Sequence, residues 1–448
     1  MSAWVDSAAH SSFPSLDAIR AEFPSITGER ASGDLFFDAA GGSQTPRIIA
    51  ERITDYLSTV NVQLGAETRS SLESGAIVQA AHEWLGTWAG AHAAPGHSAT
   101  GHSAPGHSAG AGGETHAVLI GSSASTLLSM IAAATARAPI EGRDEIIVGV
   151  AGHESNLAPW LRLESTGYTL RWWDADPVTG ASSLSALADL VTERTRIVAI
   201  HHVSNLTGVI EDLEGIVRVA HAQGAAVVAD GVAYAPHRLM EVARWGVDAY
   251  AFSLYKVFGP ELAALAATRS FLGTLDPPNH DFARGAVAGS FELGGASRMG
   301  CAGALAVGEY FAFLSGSKPP LAGVGADRAT VEAAYARIEA LEAPLTERLL
   351  RDFARRPTVR VLGAAEGGLT QLPTISFVVR GWSSKEVARR AGRVGLGIRA
   401  GHFYAYRLTE HLGLDPADGA VRISLVHTNH PSELDRWESF LDTIAPLA

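Results

Sequence analysis

Cysteine is almost missing from the 448 residues: Cys301 stands alone. One thiol closes no intramolecular disulfide and builds no cysteine-ligated zinc or iron–sulfur centre, so a reducing compartment is expected. Positive charge is also scarce. Lys and Arg total 35 against 47 Asp and Glu, and the net charge of -12 has the wrong sign for a protein that lives on nucleic acid. No apolar run reaches the roughly 18 residues that a membrane span needs. The first residues, MSAWVDSAAHSSF, have neither the basic nor the apolar block of a secretory signal. A cytoplasmic protein with no nucleic-acid or membrane partner is expected. What the chain does have is length and a 47% hydrophobic content, enough for a large core in two or three domains.

Residues 1–35 read as an N-terminal arm, aperiodic apart from a short amphipathic stretch at 16–23. Apolar residues recur at helical intervals over 48–60 and 78–90. Between 92 and 113 the tetrad GHSA recurs three times, a Gly, Ala, Ser and His composition with too little apolar surface to offset the entropy of ordering it. A flexible surface insertion is expected there. Its His92, His97, His102 and His107 have no fixed geometry, so no metal site is assigned. From 117 to about 270, seven short runs rich in Val, Ile and Ala (beginning at 117, 145, 168, 196, 225, 248 and 262) alternate with segments of helical length. That alternation predicts an α/β fold around a largely parallel sheet, whose ligands sit beyond the carboxyl ends of the strands. Helices are predicted from 296 to 313 and over 325–356. Two shorter strands, at 374 and 421, flank the helical SSKEVARRAGRVG. The large domain is accordingly drawn at 36–320 and a small C-terminal α+β domain at 321–448.

Three of the predicted strands deliver a polar residue at or just past their ends. Asp230 closes AAVVAD, Asn205 follows RIVAIHHVS, and Lys256 lies just past DAYAFS. A lysine that can form an imine and a carboxylate that can keep a ring nitrogen protonated suit a pyridoxal phosphate enzyme. Taken singly, the aspartate reads as a turn or cap residue and the lysine as a surface one.

The wider motifs go further. GHESNLAPW at 152, HVSNLTGVI at 202, VVADGVAYAPH at 227, FSLYKVFGP at 252, FELGGASRMG at 291 and AVRISLVH at 420 give a chain that resembles the class V aminotransferase family, and within it the cysteine desulfurases. The resemblance implies a fold-type-I pyridoxal phosphate enzyme with a seven-stranded, mainly parallel sheet, acting as a homodimer on a small amino acid. It implies Lys256 as the Schiff-base lysine, Asp230 as the partner of the pyridine nitrogen, His153 stacked on the ring, and Asn205 near the phenolic oxygen. Ser122, Ser123, Ser253 and Tyr255 are implied for the phosphate. Arg422 is implied for the substrate carboxylate, with Gly41 and Gly42 in a loop closing over the substrate.

Several positions depart from the family pattern. Where cysteine desulfurases carry their persulfide-forming cysteine, this chain reads RAGHFYAYRL, with Tyr404 at or beside that position, and His402, Tyr404 and Tyr406 are expected to line the substrate pocket. Tyrosine accepts no sulfane sulfur. Ala233 stands where a glutamine or histidine usually contacts the cofactor, Tyr255 where a histidine usually precedes the lysine, and Gly295 where a threonine usually reaches the neighbouring subunit's phosphate. The expected reaction is therefore cleavage of C–S or other Cβ bonds by elimination. Transamination, and a non-catalytic binding or regulatory role, are the alternatives.

Overall fold

The seven apolar runs form the seven strands of one sheet: β1 His116–Gly121, β2 Glu145–Gly149, β3 Thr169–Trp173, β4 Thr195–His201, β5 Ala226–Asp230, β6 Ala249–Ser253 and β7 Ala263–Thr268. In the computed structural model, residues 13–29, 31–91, 116–283, 287, 289–321, 323–363 and 371–447 are described, and the GHSA segment at 92–113 lies outside them. The strand order is β1-β7-β6-β5-β4-β2-β3, and only β7 runs against its neighbours. β4, β6 and β7 are buried at every residue, as a sheet covered on both faces requires. One covering layer includes the helices Arg69–Ala89 and Arg298–Ser315, the other Ala124–Arg137. Trp84 and Trp88 stack at 5.5 Å between the first of these helices and Phe252 of β6. The architecture is the α/β arrangement around a mainly parallel seven-stranded sheet expected from the sequence.

The helix expected at 78–90 begins nine residues earlier, at Arg69. Thr68 caps it by accepting from the Ser71 N–H, and the inward face of its first turns is polar: Ser74 is buried and bonds the Tyr56 hydroxyl at 2.8 Å. A hydrophobic periodicity cannot register that start.

A second sheet is built from β8 Val359–Leu362, β9 Thr374–Val379, β10 Arg399–Gly401 and β11 Ala420–Ser424, in the antiparallel order β10-β11-β9-β8. Its core includes Phe353, Phe377 and Trp437. The 27-residue helix Arg328–Ala354 joins the two halves, with Val331, Ala334 and Ile338 in the large core and Leu345, Leu349 and Phe353 in the small one. The described part of the N-terminal arm is docked: Ile19 and Phe23 are buried, Arg20 bonds Glu433 and the Thr428 carbonyl, and the short strand Leu35–Phe36 pairs with Leu396–Gly397. Beyond this pairing Asp38 bridges Ser424 at the end of β11, and Ser43 bonds the Tyr255 carbonyl at the edge where the large sheet's parallel strands end.

Candidate functional site

The carboxyl ends of β1, β2, β4, β5 and β6 meet at one edge of the sheet, and the strand register fixes what they present. Asp230 ends β5 and pairs with His201 at the end of β4. Ser253 ends β6, and the tight turn Leu254–Lys256 that follows turns the lysine inward, where it is buried. After β1, Ser123 caps the helix Ala124–Arg137 by accepting from the Thr126 N–H at 3.1 Å. The first-turn N–H groups of Ala124 and Ser125 have no intrahelical acceptor, so they and the helix dipole favour an anion. Together these groups line a cleft with Ser125, His153, Ser155, Val203, Asn205, Ala233 and Tyr255.

Burial and neighbouring charge tune each group. Burial, helped by the Arg422 charge, lowers Lys256 from its ordinary 10.5 to about 8, against the pull of Asp230 and Asp38. An amine so depressed has a reactive neutral fraction near neutral pH. Burial pushes Asp230 upward, opposed by the Val232 N–H at 3.0 Å and by the charges of Lys256 and His201. Burial and the charges of Lys256 and Arg422 lower His153 to about 4. Its Nδ1 accepts from the Ser155 N–H at 3.1 Å, so the neutral ring carries its proton on Nε2.

Of the residues expected from the sequence, Lys256, Asp230, His153, Asn205, Ser123, Ser253 and Tyr255 share the cleft. Ser122 does not line it: it is exposed and turned toward the Thr126 hydroxyl, and Ser125 stands in the cleft instead. Gly41 and Gly42 lie beside the lysine turn. Ser43 donates its N–H and hydroxyl to the Tyr255 carbonyl, and any Cβ at Gly42, whose φ is 152°, would come within 3.3 Å of the Tyr255 ring. Arg422 is behind the cleft, its guanidinium 4.0 Å from the Phe403 ring centroid, bonded to the Asn205 carbonyl at 3.1 Å and to Asp38 at 3.0 Å.

The loop at 401–406 folds over the site. Phe403 and Tyr404 both have positive φ, 49° and 62°, a conformation that disfavours non-glycine residues. Two hydrogen bonds hold it there: Asn205 Nδ2 to the Phe403 carbonyl at 2.7 Å, and the Glu154 N–H to the Tyr404 carbonyl at 2.9 Å. The Tyr404 ring lies 5.2 Å from that of His153 but is 64% exposed, while His402 bonds within its own loop, to the Tyr404 N–H. The sequence reading missed Asp38 and Phe403. Asp38 joins Arg422 to Arg399, and its place three residues before Gly41, in the stretch FFDAAGG at 36–42, was its only signal. Phe403 had none, because its role comes from the strained loop.

Cys301 is buried, and burial pushes its thiol up to about 12; it is chemically quiet. Among the described residues, no group of three or more His, Cys, Asp or Glu side chains is placed to hold a metal ion, and no helix is long and apolar enough to cross a membrane.

The cleft fits pyridoxal phosphate. It places a lysine with a depressed pKa and a buried carboxylate on adjacent strand ends, sets an open helix N-terminus at one side, and leaves Asn205 Oδ1 buried without a partner. The sequence profile described as "Aminotransferase class-V" matches residues 111–437. The chain is 33% identical to the aminotransferase-like protein FGM3 of Gibberella zeae, over 94% of this chain and 96% of that one. It is also 33% identical to the cysteine desulfurase-like protein ustD of Aspergillus flavus, over 67% of each. The structure superposes on the apo cysteine desulfurase of Thermococcus onnurineus with a TM-score of 0.77 at 22% identity, covering 98% of this chain and 99% of that one.

Proposed function

The chain belongs to the class V aminotransferase family, whose enzymes depend on pyridoxal phosphate, and we propose that it cleaves a bond at Cβ of a small amino acid, a C–S bond above all. The observation that carries this reading is the meeting of Lys256, Asp230 and His153 in one cleft with Arg422 directly behind it. Lys256 would hold the cofactor, Asp230 its ring nitrogen, His153 its ring face and Asn205 its phenolic oxygen. The first-turn N–H groups of Ala124 and Ser125, with Ser123 and Ser253, would hold its phosphate. When bound, the cofactor supplies an electron sink for charge developing at Cα.

The protein's own groups do the rest. Arg422 offers a planar fork to the substrate carboxylate. It already shares Asp38 with Arg399, so an incoming carboxylate takes Asp38's place on Arg422 while Arg399 retains Asp38. Lys256 Nζ, neutral in part near pH 8, takes the Cα proton. Asp230 keeps the ring nitrogen protonated. Phe403 and the loop that carries it shield Arg422 from water, which strengthens its hold on an anion. If the Cβ substituent leaves with its bonding electrons and takes up a proton, hydrolysis of the remaining unsaturated fragment by one water gives a keto acid and ammonia.

Elimination is favoured over persulfide transfer because Tyr404 occupies the loop over His153 and Cys301 is buried with a high pKa. Sulfur would therefore leave on the product fragment. Incubation with cysteine, cysteine sulfinate, alanine and glutamate, assayed for pyruvate, ammonia, sulfide and sulfite, tests the reading. Pyruvate with a sulfur product supports it. A keto acid released with conversion of the cofactor to its amine form would establish transamination instead.

A homodimer is part of the same proposal. Leu57, Val62, Leu64, Leu72, Leu293 and Met299 are exposed, and the Arg298–Gln63 hydrogen bond at 2.7 Å ties their segments together. Such a patch favours a second copy. Light scattering should give twice the chain mass of 46.9 kDa.

A further inference from the structure

An arginine that holds a carboxylate side-on uses the edge formed by Nε and Nη2, one nitrogen to each oxygen. The complete arrangement is seen in this protein at Arg356, whose Nε and Nη2 hold the two oxygens of Asp352 at 2.8 and 2.9 Å, and at Arg52, which holds those of Glu309 at 2.8 and 2.7 Å. On Arg422 the same edge is half filled. Nη2 bonds one oxygen of Asp38 at 3.0 Å, the other oxygen of Asp38 pairs with Arg399, and Arg422 Nε is buried with no hydrogen-bond partner among the described residues. A buried donor left open calls for an explanation, and what this edge lacks is one carboxylate oxygen.

The rest of the guanidinium is held by a carbonyl and a ring. Nη1 donates to the Asn205 carbonyl at 3.1 Å, and the guanidinium carbon sits over the Phe403 ring, 4.0 Å from its centroid. Asn205 Nδ2 in turn donates to the Phe403 carbonyl at 2.7 Å, so the three residues form a closed set of contacts. Keeping the ring there requires a φ of 49° at Phe403, a costly conformation for a residue with a side chain. Plain packing is the alternative, since Phe403 also packs against a small apolar cluster that includes Leu206 and Leu408. An apolar contact can be made from ordinary backbone, however, and strain that persists beside a binding group points to a role in binding.

We propose that Phe403 is a positioning residue for substrate recognition: its ring fixes the guanidinium of Arg422 so that the open Nε, and the Nη2 that Asp38 vacates, meet both oxygens of the substrate's α-carboxylate side-on. The inference rests on the reading of Arg422 as the carboxylate-binding group and deepens it. A carboxylate fills both places on the edge, whereas a carboxamide has one acceptor oxygen and sets its NH2 against the second donor. Selection therefore falls on the charged α-carboxylate.

The test uses the full chain loaded with pyridoxal phosphate and follows the visible band during titration with alanine, cysteine sulfinate and glutamate, and then with the α-carboxamide of whichever acts at the lowest concentration. The parent should prefer the acid. In Phe403→Leu that preference should fall about tenfold, as expected when a desolvated cation loses its ring face, with the cofactor dissociation constant unchanged. Phe403→Tyr keeps a ring face and should restore the preference. A parental preference in Phe403→Leu would overturn the proposal. So would a loss that falls equally on acid and carboxamide, or on the cofactor, since either is the mark of a loop that only packs. If Phe403→Leu fails to fold, Phe403→Met decides by the same ratio. A loaded parent whose band answers to none of the three, or that shows no preference for the acid, would sink the reading of Arg422, and a parent that binds no pyridoxal phosphate would sink the cofactor assignment; each takes this proposal with it, by a different readout.

Discussion

Replacing Asp38 by Asn should destabilise the free protein and make it more responsive to carboxylate ligands. Arg422 is 2% exposed, and burial lowers its pKa to about 10, with Asp38 the largest opposing influence. Breaking a buried ion pair from one side costs about 3–5 kcal/mol, because it leaves the other charge uncompensated. Two features reduce that figure here. The Asp38 side chain is itself 18% exposed, and Arg422 keeps both the Asn205 carbonyl and the Phe403 ring. A loss of about 2–3 kcal/mol is expected. The exposed Arg399 also loses its partner, but a surface pair adds little. A substrate carboxylate then has no competitor for Arg422 and supplies the missing charge, so saturating amino acid should raise the unfolding midpoint of D38N more than that of the parent. Thermal unfolding of both proteins, with and without ligand, reads both effects. If D38N matched the parent in stability and in ligand response, Asp38 would not be the group that balances Arg422, and the account of carboxylate binding would fail.

The depressed pKa of Lys256 predicts a pH dependence. Between about 8 and the ordinary 10.5, the unfolded chain holds a proton on this amine that the folded chain has released, so stability of the cofactor-free protein from this group rises with pH across that window. The rate of covalent cofactor attachment, followed by the growth of visible absorbance, should climb with pH and level off above about 8; levelling only near 10 would show a lysine unperturbed by its site. Cys301→Ala should leave turnover unchanged while costing about 1 kcal/mol of stability for the lost buried sulfur, and loss of turnover would mean that the thiol takes part in the chemistry.

Much of the large sheet was legible because most residues of its strands are buried: the short apolar runs at 117, 145, 196, 225, 248 and 262 alternate with segments of helical length, as a sheet covered on both faces requires. Asp230, Asn205 and Lys256 were legible for the same reason, since a polar residue at or just past the end of such a run lies at the sheet's edge. The start of the helix at Arg69 was hidden by a polar inward face. The loop at 401–406 was hidden because its backbone is held by Asn205 and by the Glu154 N–H, groups remote in sequence. His201 was invisible as a site residue: in the run RIVAIHHVS nothing distinguishes the histidine that faces the cleft from the one that faces the core until the strand register is known. Asp38 reaches Arg422 across 384 residues, a distance no local pattern spans.

The chain contains three lysines, and this makes the central claim directly measurable. Lys318 and Lys385 are exposed, whereas Lys256 is buried in the cleft. Loading the protein with pyridoxal phosphate, reducing it with borohydride and mapping the peptides by mass should place the cofactor on Lys256 alone, with no visible band in Lys256→Ala. A label on Lys318 or Lys385, or a parental band surviving in Lys256→Ala, would contradict the account.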